Sequence, residues 1–105
     1  MDYTPYTYLL VRKDLTVPQQ IVQSAHASLE AGHTYGEHSH LICCGVETEK
    51  ALLSAANYLD ANNILYSIFF EPDNNLRYTA ICTEPLTGHE RKPMKRFELL
   101  TELPS

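Results

Sequence analysis

Apolar positions along the chain fall into short unbroken runs separated by longer periodic stretches, the pattern of strands alternating with helices. Tyr6 to Val11 is an apolar and aromatic run of strand length. Beyond it, Thr16 and Gln19 have capping-box spacing, and Pro18 lies in the first helical turn, where its missing N–H costs nothing. The helix opened there is predicted to run to about Ala31 and stop at Gly32. At about 100° per residue, Ile21, Val22, Ala25 and Leu29 make an apolar face, and Gln19, Gln23, His26 and Glu30 a narrow polar stripe beside it. The apolar face is expected to pack on a sheet. The stripe is either a solvated surface or the wall of a polar site.

His33 to His40 then reads as a polar connection, and Leu41 to Cys44 as a short strand closed by Gly45. From about Thr48 a second helix has Leu52, Leu53, Ala56 and Leu59 on its apolar side, with Asn62 and Asn63 as its stop. Ile64 to Phe70 is a continuous apolar and aromatic run suited to a central strand covered on both faces. Pro72-Asp73-Asn74-Asn75 is turn chemistry, and Arg77 to Thr83 alternates as the returning strand of a hairpin. Phe97, Leu99 and Leu100 suit a final edge segment. This order is α/β, and right-handed crossovers predict three parallel strands with the fourth antiparallel. Ligands of such sheets bind at the carboxyl ends of the parallel strands, beside the following helix N-termini. Here that edge gathers Arg12, Lys13, Asp14, Gln19, Gln20, Glu71 and Asp73, and the stripe through Gln23 and His26 descends from it.

Composition narrows the classes. One domain spanning residues 1–105, 44% apolar and 20% charged, is long enough to bury a core unaided. No run approaches a membrane span, and Met1 to Pro5 carries no basic-then-apolar signal, so a cytoplasmic address and no membrane partner are expected. The three cysteines, Cys43, Cys44 and Cys82, make no C-x-x-C pair and read as reduced core filling; the neighbours Cys43 and Cys44 should point to opposite sheet faces. A net charge of -5 disfavours a general nucleic-acid coat. Four of the eight basic residues, Arg91, Lys92, Lys95 and Arg96, nevertheless cluster near the C-terminus, where a solvated charged face is the plain expectation.

Asp14-Leu15 with Gln23-Ser24-Ala25-His26-Ala27 after a strand resembles the type II peptidyl-tRNA hydrolases over nearly the whole chain. His33-Thr34, His38-x-His40 and Lys95-Arg96-Phe97-Glu98-Leu99 extend the resemblance to the branch called peptidyl-tRNA hydrolase domain-containing proteins. The resemblance implies a three-layer α/β/α fold with a four-stranded mixed sheet. It implies hydrolysis of the ester joining a peptide or N-blocked amino acid to the tRNA 3′ end, with no cofactor or metal, a tRNA acceptor end or nucleotide as partner, and homodimers. Two departures stand out. Gln19 occupies the position of a family lysine, and Glu71-Pro72-Asp73 replaces an Asp-Ala-Gly segment, with Thr79 further on.

The candidate catalytic residues are accordingly His26, as base or donor to the ester; Glu71, as the carboxylate that activates water; and Gln23, which orients the water or the substrate. The candidate substrate-binding residues are Arg12, Lys13, Gln19, Gln20, Asp73 and Thr79, with Arg12 or Lys13 supplying the charge that Gln19 lacks. Plainer roles compete: a helix-sheet packing role for His26, a cap for Gln19, a loop brace for Asp14. His33, His38 and His40 lack a carboxylate or thiol at metal-ligand spacing, and no metal site is assigned. A non-catalytic module binding a nucleotide, tRNA or protein on the same fold is the alternative.

Overall fold

The computed structural model describes residues 3–36 and 38–101. Met1 and Asp2, on which the reading of the N-terminus partly rests, lie outside them, as do Glu37 of the polar connection and residues 102–105. The strands are β1 (Tyr6–Arg12), β2 (His40–Val46), β3 (Tyr66–Glu71) and β4 (Arg77–Thr83); the helices are α1 (Val17–Tyr35) and α2 (Glu49–Ala61). Short 3-10 segments follow at Asp73–Asn75 and Gly88–Arg96.

The sheet is four-stranded and mixed, in the order β2-β1-β4-β3. Only β1 and β2 pair in parallel; β4 is antiparallel to both β1 and β3 and separates them. β4 thus runs against β1, β2 and β3, but only β1 and β2 are hydrogen-bonded as a parallel pair; β3, expected as a central strand, is an edge strand, and the returning β4 takes the centre. Hairpin closure brings β4 beside β3, and the fully buried Ala80, Ile81 and Cys82 find cover only in the interior of the sheet.

Residue alternation divides the core in two. Tyr8 and Leu10 point to the α2 face with Cys44, Leu52, Ala55, Ala56, Leu59 and Ile81. Leu9 and Val11 point to the α1 face with Ala27, Ala31, Ala80 and Cys82. Cys43 and Cys44 fall on opposite faces, as period-2 geometry requires. On α2, Ala55 replaces Leu53 on the buried side, and Leu53 is exposed.

The capping box of α1 forms as the spacing predicts, Gln19 N donating to Thr16 Oγ1 at 3.2 Å and Thr16 N to Gln19 Oε1 at 3.0 Å. The helix passes through Gly32 and ends only at Tyr35, because Gly36 supplies the left-handed cap at φ 62°. β2 likewise runs through Gly45 to Val46. Its outer side meets the C-terminal segment, where Gly45 N donates to Glu98 O at 3.0 Å and Leu100 N to Cys43 O at 3.0 Å. The expected final edge segment is there.

The larger correction concerns the side that α1 turns to the sheet. Ile21 and Leu29 are 65% and 73% exposed, and Val22 and Ala25 face solvent with them. The buried positions are Gln23, Ala27 and Ala31. Alanines let the helix axis lie close over β1 and β4, where leucines would force it away, and the one polar residue facing inward finds partners there.

Candidate functional site

Gln23 is 3% exposed and sits nearly two turns into α1, over the β3–β4 hairpin. A buried primary amide is costly unless both its ends are occupied. Thr79, fully buried in β4, donates its hydroxyl to Gln23 Oε1 at 2.7 Å. Gln23 Nε2 in turn donates to Glu71 Oε1 at 2.9 Å. Because the Glu71 carboxylate can only accept, it takes the amide nitrogen, and the carbonyl end falls to the Thr79 hydroxyl, which donates. Glu71, partly exposed at the end of β3, keeps its second oxygen toward the rim, 3.5 Å from the backbone N of Asp73. Three elements thus converge on one carboxylate, held closely at one oxygen and only by the long contact from Asp73 N at the other.

His26 lies one turn further along α1 and is exposed. Its ring stacks on Phe69 of β3, centroids 4.4 Å apart and planes 4° from parallel. Phe69 and Glu71 both belong to the strand that α1 crosses, so the imidazole and the carboxylate border the same seam. The stacking is a helix-sheet packing contact, and it leaves the ring edge in solvent.

The other candidates are held elsewhere. Gln19 is spent on the capping box, and Gln20 Nε2 donates to Leu15 O at 2.9 Å and Lys13 O at 3.5 Å. Arg12 makes four hydrogen bonds: Nε and Nη2 to the two oxygens of Asp14, both at 2.9 Å, and Nη1 to the carbonyls of Leu76 and Tyr78. That fork holds the Asp14 carboxyl below the usual carboxylate range. Lys13 Nζ meets Glu47 at 3.1 Å in an exposed pair, and its stem crosses Gly45, where a Cβ would lie 2.7 Å from Lys13 Cδ. An exposed pair of that kind is worth little and yields readily to another anion.

The basic C-terminal run is partly packed rather than simply solvated. The Arg91 guanidinium lies 3.8 Å from the centroid of Tyr6 and donates to Tyr8 Oη at 2.9 Å, while Arg96 lies 4.2 Å over Tyr58. These aromatics belong to the α2-side core, across the sheet from Gln23. His40 leans on Tyr6, and His38 lines a cavity of about 200 Å³ under the end of α1. Wider concavities of about 490 and 350 Å³ flank the C-terminal segment and the end of α2. Among the described residues, none of these three is lined by Gln23, His26 or Glu71. Burial pushes the Cys82 thiol up to about 12 and Cys44 to about 11. Among the described residues no helix is long and apolar enough to cross a membrane.

The pairing of Arg12 with the turn carbonyls and the stacking of His26 on Phe69 were missed by sequence reasoning. The Arg12-x-Asp14 spacing at a strand end is the one signal that could have suggested the first; nothing local to His26 identifies its partner.

No family model and no curated protein matches the chain. Among solved structures it is similar to a protein of unknown function, Atu0240 from Agrobacterium tumefaciens str. C58. The TM-score is 0.73 at 12% identity, covering 94% of this chain and 99% of that one. At that identity the likeness is one of fold.

Proposed function

We propose that the protein hydrolyses the carboxylic ester between an acyl group, a peptide or N-blocked amino acid, and the 3′ end of tRNA. The observation that carries this reading is the buried Gln23 amide, oriented by Thr79 and holding one oxygen of Glu71 at 2.9 Å. A carboxylate fixed at one oxygen, with the other held only by a 3.5 Å contact at the rim, is suited to take a proton from water. The resulting hydroxide adds to the ester carbonyl. When the carbonyl re-forms, the C–O bond to the ribose breaks, and the ribose oxygen leaves with the proton that Glu71 took. His26, exposed one turn away, offers an N–H or a base at the rim of the same seam. Lys13, once it exchanges Glu47 for a phosphate, supplies the cation missing at Gln19. Asp73 and Gln20 border the approach. The resemblance of Gln23-Ser24-Ala25-His26-Ala27 to the type II peptidyl-tRNA hydrolases supplies the substrate class.

The test is release of N-acetylated amino acid from charged tRNA by the purified protein. Glu71→Gln is expected to slow release on the order of 10²–10⁴-fold, the usual contribution of a general base. Release unaffected by Glu71→Gln and His26→Ala removes both residues from the mechanism, and a wild-type protein that releases nothing rejects the hydrolase. In that event a second reading gains: a non-catalytic module for a nucleotide or tRNA end. Its support is that Arg12 and Gln19 are already engaged and that Glu71 lines none of the three cavities described. That module requires saturable binding of an acceptor-stem hairpin at low salt.

A further inference from the structure

Thr79 owes its orientation to an irregularity in β4. Phe69 pairs with Ala80 and Phe70 with Tyr78, so Thr79 is an extra residue with no opposite number on β3. Ala80 packs beside Ala27 and Ala31 on the α1 face, and Thr79, its neighbour in sequence, also meets α1 through Gln23. Consecutive residues of a regular strand face opposite sides. The bulge breaks that alternation and turns both toward α1.

What holds the bulge lies on the opposite face of the sheet. Just ahead of it, Arg77 has φ 68°, a conformation that costs a non-glycine residue free energy and persists only when its surroundings enforce it. Two groups on the α2 side enforce it. Arg12 continues the alternation of Tyr8 and Leu10, which face α2, and its guanidinium binds the carbonyls on either side of Arg77, those of Leu76 and Tyr78. Glu49, in the first turn of α2, accepts Tyr78 N at 3.1 Å and Arg77 Nε at 3.2 Å. Tyr78 is gripped at its N–H and at its C=O, and that carbonyl belongs to the peptide that leads into Thr79.

We propose that Arg12 and Glu49 are positioning residues that act through the sheet: from the α2 face they fix the bulge that turns Thr79 onto Gln23, and so set the orientation of Glu71 on the α1 face. Arg12 then serves the site by shaping it, not by meeting substrate. The consequence for catalysis rests on the hydrolase reading; the coupling itself does not.

The experiment follows the side-chain amide protons of Gln23 by NMR in ¹⁵N-labelled protein, assigned by their loss in Gln23→Leu. In Arg12→Gln and in Glu49→Gln they are expected to move to the positions of a solvent-exposed glutamine and to exchange faster, while the methyls of Ala27 and Ala31 keep their shifts. Arg12→Lys keeps the charge but not the fork and is expected to behave as Arg12→Gln. Where these variants do not fold, Asp14→Asn, which frees one side of the guanidinium, is read in the same way. Gln23 protons unmoved while the Arg77 and Tyr78 backbone amides shift overturn the proposal. In the release assay, kcat is expected to fall on the order of 10–100-fold, as a displaced catalytic group commands, with KM little changed. Wild-type protein without turnover, in which Gln23 still responds to Arg12→Gln, overturns the hydrolase and supports the clamp.

Discussion

The free energy of burying Gln23 is recovered only if both ends of its amide are bonded, so Thr79 matters for stability as well as for orientation. Thr79→Val keeps the shape and removes the donor, leaving the Gln23 carbonyl buried without a partner. A loss of about 1–3 kcal/mol is expected, seen as a lower urea midpoint at unchanged slope, with Thr79→Ser close to wild type. The carboxylates around the hairpin set an acid limit. Asp14 is held below its ordinary value first by the Arg12 hydrogen bond, and Glu49 first by the Tyr78 N–H. A depressed carboxyl stabilises the fold above its unfolded pKa, near 4, and that contribution is lost as pH falls through the lower folded value. Stability measured by urea from pH 7 to pH 2 should therefore decline less steeply in Asp14→Asn than in wild type.

At the scale of elements, α1 separates what a periodic pattern specifies from what packing decides. Its start was legible because a capping box is a local device, written in Thr16, Pro18 and Gln19. Its orientation was not. The most apolar side, Ile21, Val22, Ala25 and Leu29, faces water, because the space over β1 and β4 admits alanines and because Gln23 has partners only on the sheet side. Leu29→Gln is accordingly expected to change stability by less than about 0.5 kcal/mol, as for surface positions. Ala27→Leu, which inserts bulk under the helix, is expected to cost about 1–3 kcal/mol. Reversal of these two costs in thermal or urea unfolding means that α1 packs by its greasy side after all. The candidate site follows the same division: Glu71 and Gln23 were legible from their places at a strand end and on a helix stripe, whereas the role of Thr79 depends on a bulge that no sequence spacing announces.

For the whole molecule, strand content and the β3–β4 hairpin were readable from apolar runs and from the turn at Pro72 to Asn75, but strand order was not. Hydrophobic alternation records which face a residue takes, never which neighbour its strand acquires. The order β2-β1-β4-β3 has a kinetic meaning. β4 is the last strand among the described residues and an inner strand of the sheet, joined to β1 through Leu9–Cys82, Leu10–Ile81 and Val11–Ala80. Until residues 77–83 arrive, β1 with β2 and the later β3 are two fragments with no shared edge. Closing the domain is therefore a late event between segments about seventy residues apart, one that must overcome most of the loop entropy before any pairing compensates it. A ribosome-bound chain lacking β4 can pair β1 with β2 but cannot join β3 to them.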